Sequence, residues 1–204
     1  MTLLITGFEP FGGHEYNPSA MAVESLQSLA GAECRILPVN SQAGDIYWKM
    51  LESIRPEFIV NIGLNQNTPM ILLEKTALNI IDYQGHEDND GNIIGCTGIS
   101  SEGPDGFIST INQDALKKSL LEKGIPASVS FHAGTFLCNM VYYTSFMYFY
   151  RQKRDHKCIF VHIPFDTEYV SGLMLEKDQR LCHMPKAMIL NAVRIISDFI
   201  CLIT

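Results

Sequence analysis

Short apolar runs alternate with segments of helical period along almost the whole chain, and few folds accept that pattern. "TLLIT" (2–6) is an apolar run ended by Gly7. Segment 17–31, "NPSAMAVESLQSLAG", offers Asn17 as N-cap, Pro18 at the first helical position and Gly31 as the stop. "CRILPV" (34–39) reads as a strand, and 41–54 puts Ile46, Met50, Leu51 and Ile54 on one helical stripe. "EFIVNIG" (57–63) is a buried strand, and "MILLEKTALNII" (70–81) fits strand. Segment 110–124 is a helix stopped by Gly124. "ASVSFHA" (127–133) and "KCIFVHIP" (157–164) are strands flanking a buried helix that begins near Cys138, and 185–200 closes the chain as a helix. This order predicts a three-layer α/β/α sandwich around a largely parallel, mixed central sheet, with ligands at the carboxyl ends of its strands.

No internal repeat or linker interrupts the 204 residues, so 1–204 is expected to form a single α/β domain. The exception to the tidy pattern is 82–107, polar, Gly-rich and longer than the ~12–15 residues usual for a loop without structure. It is expected to fold either as a hairpin around Asp90-Gly91 or as a flap beside a site.

The net charge is −7 and the most basic stretch, "RQKRDHK" at 151–157, is interrupted by Asp155; a solvated helix end accounts for it, and nucleic acid is not an expected partner. Residues 1–13 hold an apolar run of only four and no basic segment, so no secretory leader is expected. The apolar tail carries Arg194 and Asp198, too charged and too short for a membrane span. A cytoplasmic protein is the expectation. Six cysteines, at 34, 96, 138, 158, 182 and 201, form no CxxC pair and read as reduced thiols.

Several motifs fail on inspection. "HEDNDG" would need acidic residues where His86 and Thr97 stand, so it is not a calcium loop. "TGFEPFGG" is neither GxGxxG nor GxxxxGK, and "AGTFLCN" is not a GxCxG elbow. The six histidines show no metal-ligand spacing, and no metal is expected.

What remains is a thiol at a strand-to-helix junction. A nucleophilic cysteine needs a lowered pKa, a base within reach and a group to orient that base. A helix N-terminus and an imidazolium can lower a thiol from its usual ~8.5 by several units. Cys138 stands at such a helix start; the alternative is an inert, packed cysteine. His162, at the carboxyl end of its strand, and His132, before the turn, are rival bases, and either could be a satisfied structural histidine. Glu74 is a carboxylate inside an apolar run and the acid best placed to orient a histidine, unless it faces solvent.

"TGFEPFGG" followed by "NPS", "LEKTALN", "GIPASVSFHAGTFLCN" and "FVHIP" occur in this order, and with them the chain resembles the pyroglutamyl peptidase I family of cysteine peptidases over about residues 3 to 200. The resemblance implies removal of N-terminal pyroglutamate from peptides by a Glu–Cys–His triad at Glu74, Cys138 and His162. It implies a cytoplasmic homotetramer of α/β/α subunits that uses no cofactor. Phe8, Phe11 and Phe136 match the aromatics that hold the lactam ring, and Asn17 matches an amide contact to it. Phenylalanines in the core and a plain N-cap at Asn17 are the alternatives on the residues alone. A silent binding module that keeps the pocket, or another cysteine amidase, are the rival functions. The chain departs from the resemblance at 63–68, where "GLNQNT" replaces the "GQAGGR" of many bacterial members, and at Lys75, where they often have arginine.

Overall fold

A computed structural model describes residues 2–202; Met1, Ile203 and Thr204, which the one-domain reading takes in, lie outside the described residues. In chain order the elements are β1 (Leu3–Phe8), α1 (Pro18–Ser25), β2 (Ala32–Leu37), α2 (Ala43–Ile54), β3 (Phe58–Leu64), β4 (Ile71–Glu74), β5 (Thr76–Leu78) and β6 (Gly106–Ile108). There follow α3 (Gln113–Glu122), β7 (Ala127–Ser130), α4 (Leu137–Arg151), β8 (Cys158–Ile163), β9 (Phe165–Asp166), α5 (Thr167–Lys177), β10 (His183–Met184) and α6 (Lys186–Cys201).

The central sheet runs β2–β1–β3–β8–β4–β7. Its pairs are parallel except β4 with β8, which makes the sheet mixed. Strands β1 and β8 are buried at every position, as strands covered on both faces must be. Side chains alternate between faces along each strand. Leu3, Ile5, Ile159 and Val161 join one core with Val23 of α1, Leu120 of α3 and Ile196 of α6. Leu4, Ile59 and Phe160 point the other way and join Leu51 of α2 with Val141 and Phe149 of α4. Three layers result, with the β8 positions of Phe160's parity facing α4.

Local differences from the sequence reading have local causes. Helix α1 stops at Ser25 instead of reaching Gly31: the Ser25 hydroxyl turns back onto the Ala22 carbonyl, and the tight turns Leu26 N–H to Val23 O and Gln27 N–H to Glu24 O follow. The run 70–81 splits at Lys75, so that β4 stays in the main sheet while β5 pairs antiparallel with β6. Segment 82–107 doubles back around Asp90-Gly91, with Ile81 bridging Thr97, the Tyr83 N–H on Ile94 O, and Gly91 in the left-handed region at φ 79°. Its tip is tied by the Asp88 carboxylate, which accepts from the N–H groups of Asp90 and Asn92. Helix α5 has no counterpart in the sequence reading; its signal was Asp166, whose side chain caps it by accepting from Tyr169 N–H. Among the described residues no helix is long and apolar enough to cross a membrane, and all six cysteines are free.

Candidate active site

Strand alternation builds the first half of the site. His162 has Phe160's parity and so faces the α4 side of the sheet. In the antiparallel pair β4/β8, Leu72 lies opposite His162 and Glu74 opposite Phe160, which makes Glu74 a diagonal neighbour of His162 on the same face. The two side chains meet: Glu74 Oε1 is 2.7 Å from His162 Nδ1, with Glu74 1% and His162 6% exposed. A carboxylate only accepts, so the imidazole donates from Nδ1 and turns Nε2 outward. Glu74 Oε2 has no partner among the described residues.

The second half comes from α4. Phe136, its N-cap, is extended and supplies no side-chain cap, so the N–H groups of the first turn stay open around Cys138, the second residue of the helix. The half-buried Cys138 lines the same cleft as His162 and Glu74, its sulfur close enough to act on the imidazole. Burial on its own would lower the His162 pKa. The charge and closeness of the Cys138 sulfur, then the hydrogen bond and charge of Glu74, outweigh it and raise the value to about 9. His132, the rival base, lines the same cleft, but its Nδ1 accepts from Gly134 N–H.

Sequence reasoning missed Gly63, which pairs with His162 across β3/β8. A Cβ there would stand 2.8 Å from the Phe160 ring and 3.0 Å from Cys138 Sγ. The signal was present: a glycine inside a largely apolar, buried strand marks a close approach.

A cleft of about 430 Å³ opens over these groups, with Phe11 and Phe136 on its walls and Leu64, Asn65, Gln66 and Asn67 at its rim. The departing "GLNQNT" segment therefore borders the candidate chemistry. Tyr83 of the 82–107 segment stands edge-on to Phe136, their ring centroids 4.4 Å apart. Asp82 and Thr135 exchange main-chain and hydroxyl hydrogen bonds beside them, and Asn89 Nδ2 donates to Pro10 O. The segment is thus a brace for both cleft walls.

Two of the expected ring contacts are not among the cleft's lining residues. Phe8 is the last residue of β1 and 3% exposed, its ring 6.4 Å from Phe160; the strand continues through Gly7, so the side chain enters the core instead of an exposed turn. The Asn17 side chain is engaged locally: Oδ1 accepts from Ser19 N–H and Oγ–H, and Nδ2 donates to Glu9 O. It caps α1 and ties down the turn that carries Phe11.

The family model described as pyroglutamyl peptidase matches residues 1–201. The pyrrolidone-carboxylate peptidase of Coprothermobacter proteolyticus is 39% identical over 175 residues, 83% of this chain and 84% of the relative. That of Bacillus cereus is 37% identical over 178 residues, 84% and 81% of the two chains. Among solved structures, a mutant pyrrolidone carboxyl peptidase from P. furiosus superposes with a TM-score of 0.92 at 31% identity, covering 100% of both chains.

Proposed function

The chain belongs to the pyroglutamyl peptidase family of cysteine-type peptidases, and from that premise we propose that Cys138, His162 and Glu74 cleave N-terminal pyroglutamate from peptides through a thioester. The observation that carries this reading is the convergence of three groups on one cleft: Glu74 Oε1 2.7 Å from His162 Nδ1, and the Cys138 thiol beside the same imidazole.

In the proposed reaction the Cys138 thiolate attacks the carbonyl that links pyroglutamate to the next residue. The tetrahedral oxyanion forms against the Cys138 N–H, one of the open donors at the start of α4. Imidazolium is the favoured state of His162 below about pH 9. It gives its proton to the leaving amine, and the C–N bond breaks. A water then enters, His162 takes its proton, and the thioester opens to free pyroglutamate and the resting thiolate–imidazolium pair. Glu74 holds the Nδ1–H and stabilises the imidazolium, as the acid does in other triads.

The lactam is flat, neutral and mostly apolar, which suits walls of Phe11 and Phe136. Phe8 and Asn17 serve this pocket from behind, as the packing under the walls and the tie on the Phe11 turn. An open glutamate would bring an ammonium and a carboxylate against aromatic faces at a cost of several kcal/mol. Six free thiols suit a reducing cytoplasm, and assembly into a homotetramer remains part of the proposal, tested by light scattering.

The deciding experiment is release of a chromophore from pyroglutamyl, prolyl and glutamyl amides. Rapid turnover of the pyroglutamyl amide alone is expected. Comparable turnover of all three points to a broader cysteine amidase. Turnover of none, with the pyroglutamyl peptide still bound, leaves a silent binding module.

A further inference from the structure

Asn139 follows the thiol, and its whole side chain is given to main chain elsewhere. Nδ2 donates to Leu78 O (2.9 Å) and Ile80 O (2.8 Å), and Oδ1 accepts from Leu78 N–H (2.9 Å). Tyr142 lies three residues further on, on the same side of α4. Its hydroxyl donates to the main-chain carbonyl of Glu74 at 2.9 Å. Both residues are fully buried. The helix that carries Cys138 therefore grips the segment from Glu74 to Ile80 at both ends, each time from side chain to backbone.

That segment needs holding. Glu74 is the last residue of β4, and the chain leaves the main sheet at Lys75 to enter β5. Lys75 N–H still donates to Ser130 O of β7, and beyond it the central ladder no longer fixes the chain's course. Gln113 Nε2 adds a second donor to Glu74 O, but from α3, which does not carry the thiol. Among the described residues, Asn139 and Tyr142 alone carry side-chain hydrogen bonds from the thiol's own helix to the segment that starts at Glu74, with His162 between them on β8. We propose that Asn139 and Tyr142 are positioning residues: they set the spacing between the Cys138 thiol and the Glu74 carboxylate, and so keep both in line with His162. This rests on the triad reading above.

Two variants test it. Tyr142→Phe removes one hydroxyl and leaves Gln113 on the same carbonyl, so the fold should survive. Asn139→Asp keeps the acceptor for Leu78 N–H and loses both donors. A displaced catalytic group costs rate more than binding, so kcat should fall about tenfold in Tyr142→Phe and about a hundredfold in Asn139→Asp, with KM within about twofold. In Tyr142→Phe, NMR titration of His162 should move down as Glu74 loosens, and iodoacetamide should alkylate Cys138 with an altered pH profile. Unchanged kcat, His162 titration and alkylation profile, whatever happens to the melting temperature, would overturn the proposal. Should Asn139→Asp not fold, Tyr142→Phe decides by the same criteria. A wild-type protein inert to pyroglutamyl amides would sink the functional reading and not this one, since the titration and alkylation read the geometry without substrate.

Discussion

Glu74 and His162 hydrogen-bond at 2.7 Å across an antiparallel strand pair, diagonal to each other and nearly closed to solvent. Glu74→Gln keeps the shape and removes the charge. Its amide can either accept from Nδ1–H, or donate and force the other tautomer, which turns a protonated Nε2 toward the thiol. We expect kcat to fall about a hundredfold or more with the fold retained, because loss of the orienting acid disables a triad through its histidine. Circular dichroism beside kcat measures both; a variant with more than half the wild-type kcat would remove Glu74 from the mechanism.

The same contact sets a pH dependence. The folded His162 value, about 9, is raised above its ordinary 6.5, so its linked stabilisation is complete below about pH 6.5 and is lost as pH rises through about 9. Activity should share the alkaline limb, since the leaving amine needs the imidazolium proton. The largest raising influence is the Cys138 sulfur, so Cys138→Ala should shift the His162 titration downward by NMR. An activity profile flat from pH 7 to pH 10 would contradict this assignment.

The parts of the fold governed by periodicity were readable from the chain. The largely apolar runs of β1, β3 and β8 announced central strands, and Cys138 and His162 were placed correctly at a helix start and a strand end. Contacts between distant segments were not readable. Glu74 could be chosen as the acid only by its odd position in an apolar run; that it faces His162 depends on β4 running against β8, a reversal no local pattern encodes. Phe8 was expected in an exposed turn because Gly7 and Pro10 break regular structure, yet pairing with Leu37 of β2 carries β1 through Gly7. Asn139 reads locally as an ordinary first-turn polar residue, and its partners lie about sixty residues away.

Thiol chemistry should single out Cys138. Cys158 is fully buried and its thiol is pushed well above the ordinary range by that burial, so it should resist iodoacetamide until the protein unfolds. Cys96 is exposed and should be alkylated without loss of activity. Mass mapping against residual activity should find inactivation tracking Cys138, with Cys138→Ser and Cys138→Ala folded and inert and replacements of Cys34, Cys158 and Cys201 largely active. Loss of activity while Cys138 stays unmodified would mean that another thiol carries the reaction.

Gly63→Ala should separate activity from folding. Its φ is an ordinary one, so the backbone accepts alanine, but the new methyl meets the Phe160 ring and Cys138 Sγ at 2.8 and 3.0 Å. Overpacking of this kind costs about 1–3 kcal/mol in stability. The sulfur is the more movable of the two neighbours, being at the cleft surface, so it should be displaced from His162 and kcat should fall further than stability does. Full activity with a lowered melting temperature would show that Phe160 yields instead.

The two phenylalanines of "GFEPFGG" should behave differently. Phe8 is 3% exposed and packs toward Phe160, so Phe8→Ala leaves a cavity in the core beneath the site. Such truncations cost about 3–5 kcal/mol, which for a chain of this size lowers the melting temperature by roughly 6–20 °C. Phe11 is half-buried on the cleft wall, in a turn held by Asn17 on Glu9 O and by Asn89 on Pro10 O. Neither tie involves the Phe11 ring, which packs only at the edge of the core, so Phe11→Ala should cost clearly less stability than Phe8→Ala. It removes one aromatic face from the lactam, worth about 0.5–1.5 kcal/mol beyond area, so KM should rise about threefold to tenfold. Measuring kcat, KM and melting temperature for both variants decides the matter: a Phe11→Ala enzyme with wild-type KM would put the ring elsewhere in the cleft, and a Phe8→Ala enzyme that kept its melting temperature but lost substrate affinity would return Phe8 to direct contact with the ring.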